Sequence, residues 1–365
     1  MKPLLEDIRH TPLLWLLVFV PIVLLAQLLK PEAHTLLFLL SVIAIIPLAA
    51  MLSLATEAVA ARTGDLIGGL LNATLGNLTE LLITLAALRA GEYVLVKASI
   101  AGAIITNSLF MLGASFLLGG LKYHVQEFNR DSARLQTGML FLATIAMLVP
   151  SLLAAAENAP ITHSLSVSLS ILLIATYAMG LAFSLWTHRE LFSSRGQHEQ
   201  DEKEEWPLRL ALGTLAVVTV LVALVSEVFV ESVQQAAAAL GITPAFVGVI
   251  VVALVGGAAE MVSAFTAARK DKLDLSVGIA LGSSVQIALF VAPVLVFASY
   301  LIGPTPMDLQ FWRGAVAMML IASITAALVT SSGRSAWFLG ALTITVYVIF
   351  ATTLYLLPPA TGAQP

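Results

Sequence analysis

Apolar residues run along this chain in long unbroken blocks, and polar residues collect in the short gaps between them. Eleven blocks are long enough to cross a bilayer: 12–29, 36–60, 66–88, 96–120, 134–155, 163–187, 208–230, 244–268, 275–301, 311–330 and 335–357. A helical span needs about 20 largely apolar residues. Segments that cross lipid must satisfy their own backbone hydrogen bonds, as helices or as closed barrels. The continuity of the blocks excludes the roughly ten-residue alternating strands of a barrel. The pattern therefore predicts an all-α polytopic membrane protein with eleven transmembrane helices.

Two of the blocks repeat one another. Gly76-Asn77-Leu78-Thr79-Glu80, with Gly102-Ala103 downstream, matches Gly256-Gly257-Ala258-Ala259-Glu260, with Gly282-Ser283 downstream. One offset of 180 residues relates Gly68 to Gly248, Gly76 to Gly256, Glu80 to Glu260, Ala87 to Ala267, Arg89 to Arg269, Leu95 to Leu275 and Gly102 to Gly282. Five spans separate the copies, and an odd number inverts the second copy in the membrane. The parse is an N-terminal helix (1–35), a first five-helix repeat (36–189), a linker (190–206) and a second, inverted five-helix repeat (207–365). Inverted repeats of this kind are a recurring basis of secondary transport.

Composition and charge fit this picture. Hydrophobic residues make up 59% of the chain and charged residues 11%, where a soluble domain carries roughly 25% charged residues. Lys and Arg set orientation when they lie in short loops. With the N-terminus in the cytoplasm, 14 of them fall inside and 4 outside. The expectation is an integral protein of the cell membrane, N-terminus cytoplasmic and C-terminus outside. The Met1–His10 segment lacks a small-residue cleavage site after its apolar run, so the first block reads as a retained span. There is no cysteine, hence no disulfide and no thiolate metal site. The one long polar stretch, Glu190 to Glu205, is an acidic cytoplasmic linker, read as a solvated connector or as a segment that concentrates cations.

Glu80 and Glu260 carry the chemistry. Ionisable groups at membrane depth are costly and mark ion or proton pathways. Two carboxylates neutralise one divalent ion. A hard cation such as Ca²⁺ takes six to eight oxygens. Gly76 and Gly256 lie one helical turn before each Glu, where glycine loosens the helix and frees backbone carbonyls. Asn77, Thr106, Asn107, Ser283 and Gln286 add neutral oxygens, so the oxygen count suffices without His or Cys and argues against zinc or copper. Protons compete for the same carboxylates. Metal ligands and proton acceptors are thus expected in Glu80 and Glu260, with two or more protons leaving as one divalent ion binds. Glu57 and Glu227, late in spans 2 and 7, are candidates for proton-pathway or gating roles or for interfacial placement.

At these motifs the chain resembles the calcium/proton exchanger (CAX) family of the cation/calcium antiporter superfamily. Leu70 to Leu81 is similar to that family's first signature helix, and Gly256–Glu260 with Ala280–Ile287 to the second. The resemblance implies export of cytosolic Ca²⁺ in exchange for protons. It also implies that Glu80 and Glu260 are the central ligands, with Asn77, Ser283 and Gln286 near them. Two positions depart from the family pattern: Gly257 stands where Asn is typical, and Met261 where His is typical. The first departure removes one neutral oxygen from half the site.

Other readings have their own signatures. A sodium-driven calcium exchanger or a monovalent cation/proton antiporter is the nearest alternative. Sodium-coupled relatives typically place a Pro beside the repeat carboxylate, and neither repeat here has it. An intramembrane enzyme would need a constellation such as H-E-x-x-H or G-x-S-x-G, and neither occurs. A passive channel is disfavoured by the internal inverted repeat. The expected partners are Ca²⁺, protons and the lipid bilayer, with no cofactor and no nucleic acid; a homo-oligomer is left open.

Overall fold

The computed structural model describes residues 4, 7–9, 11–153, 159–188 and 206–357. The acidic linker, Glu190 to Glu205, lies outside the described residues. Among the described residues, nine helices are individually long and apolar enough to span a bilayer. They are span 1 (Pro12–Leu29), span 2 (His34–Arg62), span 4 (Tyr93–Tyr123), span 5 (Arg130–Leu152), span 6 (His163–Thr187), span 7 (Leu208–Leu240), span 9 (Leu273–Ile302), span 10 (Arg313–Thr330) and span 11 (Trp337–Leu356). The other two spans are broken helices. Span 3 is Ile67–Leu75 followed by Leu78–Arg89, bent by 40°, and span 8 is Pro244–Gly256 followed by Ala258–Arg269, bent by 58°. The two broken spans are those that carry Glu80 and Glu260.

The breaks follow from the sequence. Leu75 is the last residue of the first half of span 3, and Gly76 and Asn77 lie outside both helical pieces. Gly257 separates the halves of span 8 in the same way. Glycine costs about 1 kcal/mol in a helix interior relative to alanine. Irregular backbone is tolerated at membrane depth only where protein or a water-filled cavity satisfies it.

The inverted arrangement is visible in which loops meet. On one face the 123–130 loop is tied to the turn between spans 8 and 9: Lys122 Nζ and Tyr123 Oη donate to the Arg269 carbonyl, and Gln126 Nε2 to Ala268 O and Asp271. The N-terminal segment lies at the cap of span 7, where Trp206 Nε1 donates to Asp7 (2.9 Å) and Arg62 Nε to the Trp206 carbonyl. On the opposite face Lys97 pairs with Asp308 (2.5 Å), Tyr93 Oη donates to Thr305 O, and Arg89 pairs with Glu227 (3.0 Å). Eleven crossings in alternation produce this sorting.

The all-helical expectation misses one detail. Val125–Glu127 and Arg334–Ala336 form a short antiparallel pair on the loop face, braced by Arg334 to Glu127 at 2.7 Å. Three-residue strands leave no periodic signal in sequence.

Packing positions the centre. Spans 2 and 7, counterparts in the two halves, lie against each other, with Phe38 stacked on Phe229 at 5.4 Å. Span 4 lies against the first half of span 8. Gly102 rests on the backbone of Val249 and Gly248 on Ala98, with no room for a Cβ at either glycine. Small residues allow such backbone approach between membrane helices.

Candidate functional site

Glu80 and Glu260 each fall in the first turn of the second half of a broken span. Aligned backbone N–H groups at a helix start favour negative charge there. The surroundings of the two carboxylates differ. Glu80 is buried, and it packs against the other break: a Cβ added to Gly256 would lie 2.9 Å from Glu80 Cγ and 3.3 Å from its Oε1. Glu80 shares a small void of about 10 Å³ with Thr84, Ser99 and Ala103. Glu260 instead lines a cavity of about 490 Å³ that runs out to Asn129, Ser132 and Asp274 at the ends of spans 5 and 9. Glu57 lines the same cavity. Both Glu80 Oε2 and Glu260 Oε2 are buried without a hydrogen-bond partner.

The neutral oxygens gather beside them. Asn77, Ser283, Gln286 and Gly76 line the same cavity as Glu260. Ser283 Oγ donates to Asn77 Oδ1 (2.6 Å) and accepts from Asn107 Nδ2 (3.0 Å). A Cβ on Gly76 would sit 3.2 Å from Gln286 Oε1, so glycine there lets span 9 approach the break. Gly256 and Asn107 lie behind the lining, Asn107 fully buried. Thr106 is not brought to the cavity; its hydroxyl donates to Tyr347 Oη of span 11 (3.4 Å). Glu57 lines the cavity and accepts from Ser53. Glu227 is on the opposite face, paired with Arg89.

Several lining residues escape sequence reasoning. Tyr177 of span 6 donates to the Ala73 carbonyl (2.5 Å) and lines the cavity, as do Gln136, Ser263 and Asp274. Asp274 accepts a hydrogen bond from the Asn129 backbone N–H. The feature that could have flagged Asp274 is its carboxylate within the first turn of an apolar span. Tyr177 and Gln136 carry no such signal. Span 9 passes into a π-helical turn, Ile287–Val291, directly after its cavity-facing stretch, and span 4 into another, Thr106–Met111, just past the residues that border the small void at Glu80. Such turns are frequent at functional sites.

Among the described residues no group of three or more His, Cys, Asp or Glu side chains could hold a metal. A cation here would rest on two carboxylates, neutral side-chain oxygens, freed carbonyls and water. Affinity for Ca²⁺ follows the number of charged ligands and the rigidity of the site. A two-carboxylate set is suited to an ion that must leave again.

The fold and motifs have clear relatives. Residues 33–186 and 210–356 match the sodium/calcium exchanger protein family. The chain is 39% identical to the Ca(2+)/H(+) antiporter of Aphanothece halophytica, over 96% of this chain and 98% of that one. It is 41% identical to the Ca(2+)/H(+) antiporter ChaA of Bacillus subtilis, over 88% and 92%. Among solved structures, native YfkE superposes with a TM-score of 0.82 at 36% identity, covering 94% of this chain and 98% of that one. The chain is an integral membrane transporter that belongs to the calcium/proton exchanger family, within the sodium/calcium exchanger proteins.

Proposed function

We propose that this protein exports cytosolic Ca²⁺ in exchange for protons by alternating access. Glu80 and Glu260 bind the cation or protons in turn. Asn77, Asn107, Ser283 and Gln286 and the carbonyls freed near Gly76 and Gly256 complete the ligand shell. The N-terminus and the 190–206 linker face the cytoplasm, the C-terminus faces outside, and the membrane is the cell membrane. Residues 36–189 and 207–365 form the two moving halves, with 1–35 as an added helix.

The observation that carries this reading is the unequal exposure of two equivalent carboxylates. Glu260, on the inverted copy, meets a cavity reaching one face, while Glu80, on the first copy, is walled off from the other. A cation enters past Asp274 and Glu57, exchanges its water for the oxygens around Glu260, and neutralises both carboxylates. Protons occupy the same oxygens when the cation is gone. Either load removes the net charge that resists burial, which lets the halves exchange roles. Emptied and unprotonated, the two carboxylates repel each other in a poorly solvated space.

Ca²⁺ uptake into inside-out vesicles, with and without an imposed proton gradient, tests the reading. Uptake driven by acid inside the vesicle supports it. Uptake that needs sodium inside the vesicle and ignores the proton gradient replaces it with sodium-driven exchange.

A further inference from the structure

The small void beside Glu80 is the closed counterpart of the large cavity beside Glu260. The 180-residue offset carries Glu80 onto Glu260, Ser99 onto Ile279, Ala103 onto Ser283, Val252 onto Asn72 and Ala253 onto Ala73. One member of each pair lines the void and the other lines the cavity. Thr84 lies one turn past Glu80 toward Arg89, and Ser99 lies just inside Lys97. Arg89 and Lys97 mark the face opposite the cavity mouth, so the void is the part of the pathway between Glu80 and that closed face.

The two linings exchange polarity. Asn72 and Ser283 on the cavity become Val252 and Ala103 on the void, whereas Ile279 becomes Ser99 and Ala264 becomes Thr84. Thr84 and Ser99 are the polar side chains that line the void with Glu80, and both are buried. Their hydroxyl protons are already committed. Ser99 Oγ donates to the Leu95 carbonyl (2.7 Å), and Thr84 Oγ1 donates to the carbonyls of Glu80 (2.7 Å) and Leu81 (3.0 Å). Only lone pairs are left to both hydroxyls. Glu80 Oε2 is likewise buried without a hydrogen-bond partner. The polar side chains of the void are therefore acceptors alone.

The void measures about 10 Å³, the threshold for one water, which needs roughly 10–15 Å³ and two to four polar partners. A neutral water has two protons to donate, and a water carrying an excess proton has three. We propose that this void is where protons from the closed face reach the site: as that face opens, a proton-carrying water is held by Ser99, Thr84 and the Glu80 carboxylate. Its excess proton passes to Glu80. One O–H bond breaks on the water, one forms on the carboxylate, and a neutral water remains. Ser99 is a positioning residue, which holds the water and does not itself titrate. Among the described residues no titratable side chain but Glu80 lines the void. Glu260 stands one turn past Gly256, on which Glu80 packs, and Glu57 of span 2 lines the cavity. Toward the closed face, Arg89 of span 3 is paired with Glu227 of span 7, and Lys97 of span 4 with Asp308. The inference rests on the proposed exchange of Ca²⁺ for protons and names the residues that receive the proton within it.

Ca²⁺ uptake into inside-out vesicles, at saturating Ca²⁺ and with lumenal pH varied, is the test, because the lumen bathes the closed face. Ser99→Ala should move the lumenal pH of half-maximal uptake down by about one unit, the tenfold worth of one hydrogen bond to a charged group. Adding Ala103→Ser to Ser99→Ala should recover most of that shift, since position 103 brings a hydroxyl to the same void from the next turn of span 4. Ala103→Val fills the void, leaves both native hydroxyls in place and should shift the midpoint in the same direction. Ca²⁺ binding by each purified variant at alkaline pH, where protons do not compete, shows that it is folded. A packing role for Ser99 would lower uptake at every lumenal pH and leave the midpoint in place, and that result overturns the proposal. Failure of Ala103→Ser to recover the shift overturns it as well. If Ser99→Ala does not fold, an unmoved midpoint in Ala103→Val overturns it equally. Wild-type uptake that ignores lumenal pH removes proton exchange itself, whereas proton-driven wild-type uptake beside an unmoved Ser99→Ala midpoint removes only the role of the void.

Discussion

Gly102 sits directly on the backbone of Val249, whereas the pair related to it by the internal repeat, Gly282 and Gly69, lines an open cavity. The same contact is thus made in one half and unmade in the other. A Cβ on Gly282 would meet only Gln136 Oε1, at 4.0 Å. If the halves exchange conformations, Gly282 closes onto Gly69 and Gly102 parts from Val249. A larger residue at 282 fits the observed form and obstructs the other. Gly282→Val should leave folding and Ca²⁺ binding intact and reduce exchange by roughly tenfold or more, given an overpacking cost of about 1–3 kcal/mol in the closed form. The chain has no cysteine, so Gly69→Cys with Gly282→Cys gives a clean crosslinking pair. Crosslinking should require turnover conditions. Full exchange by Gly282→Val, or by the crosslinked pair, would count against closure at this point.

The outer ion pair follows the same logic. Glu57 and Glu227 are counterparts, each preceded by a hydroxyl residue, Thr56 and Ser226. Arg89 and Arg269 are counterparts as well. Arg89 binds Glu227 on the closed face, while Glu57 lines the cavity on the open one. The alternate form should pair Arg269 with Glu57. Both side chains of the visible pair are well exposed, so its worth is within about 1 kcal/mol and salt weakens it. Arg89→Ala should shift the balance toward opening on its own face, and Arg269→Ala toward opening on the other. Labelling of single cysteines introduced into each vestibule reads the two shifts. Shifts in one common direction would refute the paired gates.

Much of this was legible in the chain because it depends on local rules. A charge in an apolar block stands out, and Glu80 and Glu260 stand out twice because the block is repeated. Gly76 and Gly256 advertised loosened helices, and the breaks lie at or beside them, at Gly76–Asn77 in span 3 and at Gly257 in span 8. The inverted architecture followed from counting spans between copies. What was not legible depends on which face is open. Glu57 and Glu227 look equivalent in sequence and occupy unlike surroundings, since one access state breaks the symmetry between them. Thr106 and Asn107 are neighbours on one helix, and the π-helical turn that begins there sends them to different partners. The pairing of Val125–Glu127 with Arg334–Ala336 joins residues some two hundred positions apart and obeys no local period.

Charge removal tests the centre. Glu80→Gln and Glu260→Gln keep the shape of the side chain and remove its charge and its titratable proton. Each should reduce exchange to background while helix content and elution as a folded protein stay unchanged. Neither carboxylate oxygen left unpartnered in the structure gains or loses a hydrogen bond needed for packing, so stability should not fall. The variants should differ in one respect. Glu260 lines the open cavity, and Glu80 is enclosed. A water-soluble carbodiimide should therefore modify Glu260 first, and Ca²⁺ should protect it. Normal exchange in either variant would sink the two-carboxylate mechanism.

Coupling is the remaining question, and competition sets its sign. Ca²⁺ needs both carboxylates unprotonated, whereas protons need them free of metal. Lowering pH on the open side must therefore lower apparent Ca²⁺ affinity, and raising Ca²⁺ must slow proton entry from that side. Reciprocity of this kind is required whenever two ligands share a site. An outside-acid gradient should drive Ca²⁺ out of the cell, a protonophore should stop net export, and replacing external sodium with choline should change nothing. Glu80→Gln should abolish transport and weaken the pH dependence of Ca²⁺ binding, with Glu260 alone left to titrate, whereas Gly282→Val, which slows closure without touching the carboxylates, should keep that pH dependence in full. Direct binding measured across pH separates these two variants. A pH-independent affinity in the wild type, or export that follows the sodium gradient, would show that protons do not share the cation's oxygens and that a different ion pays for the exchange.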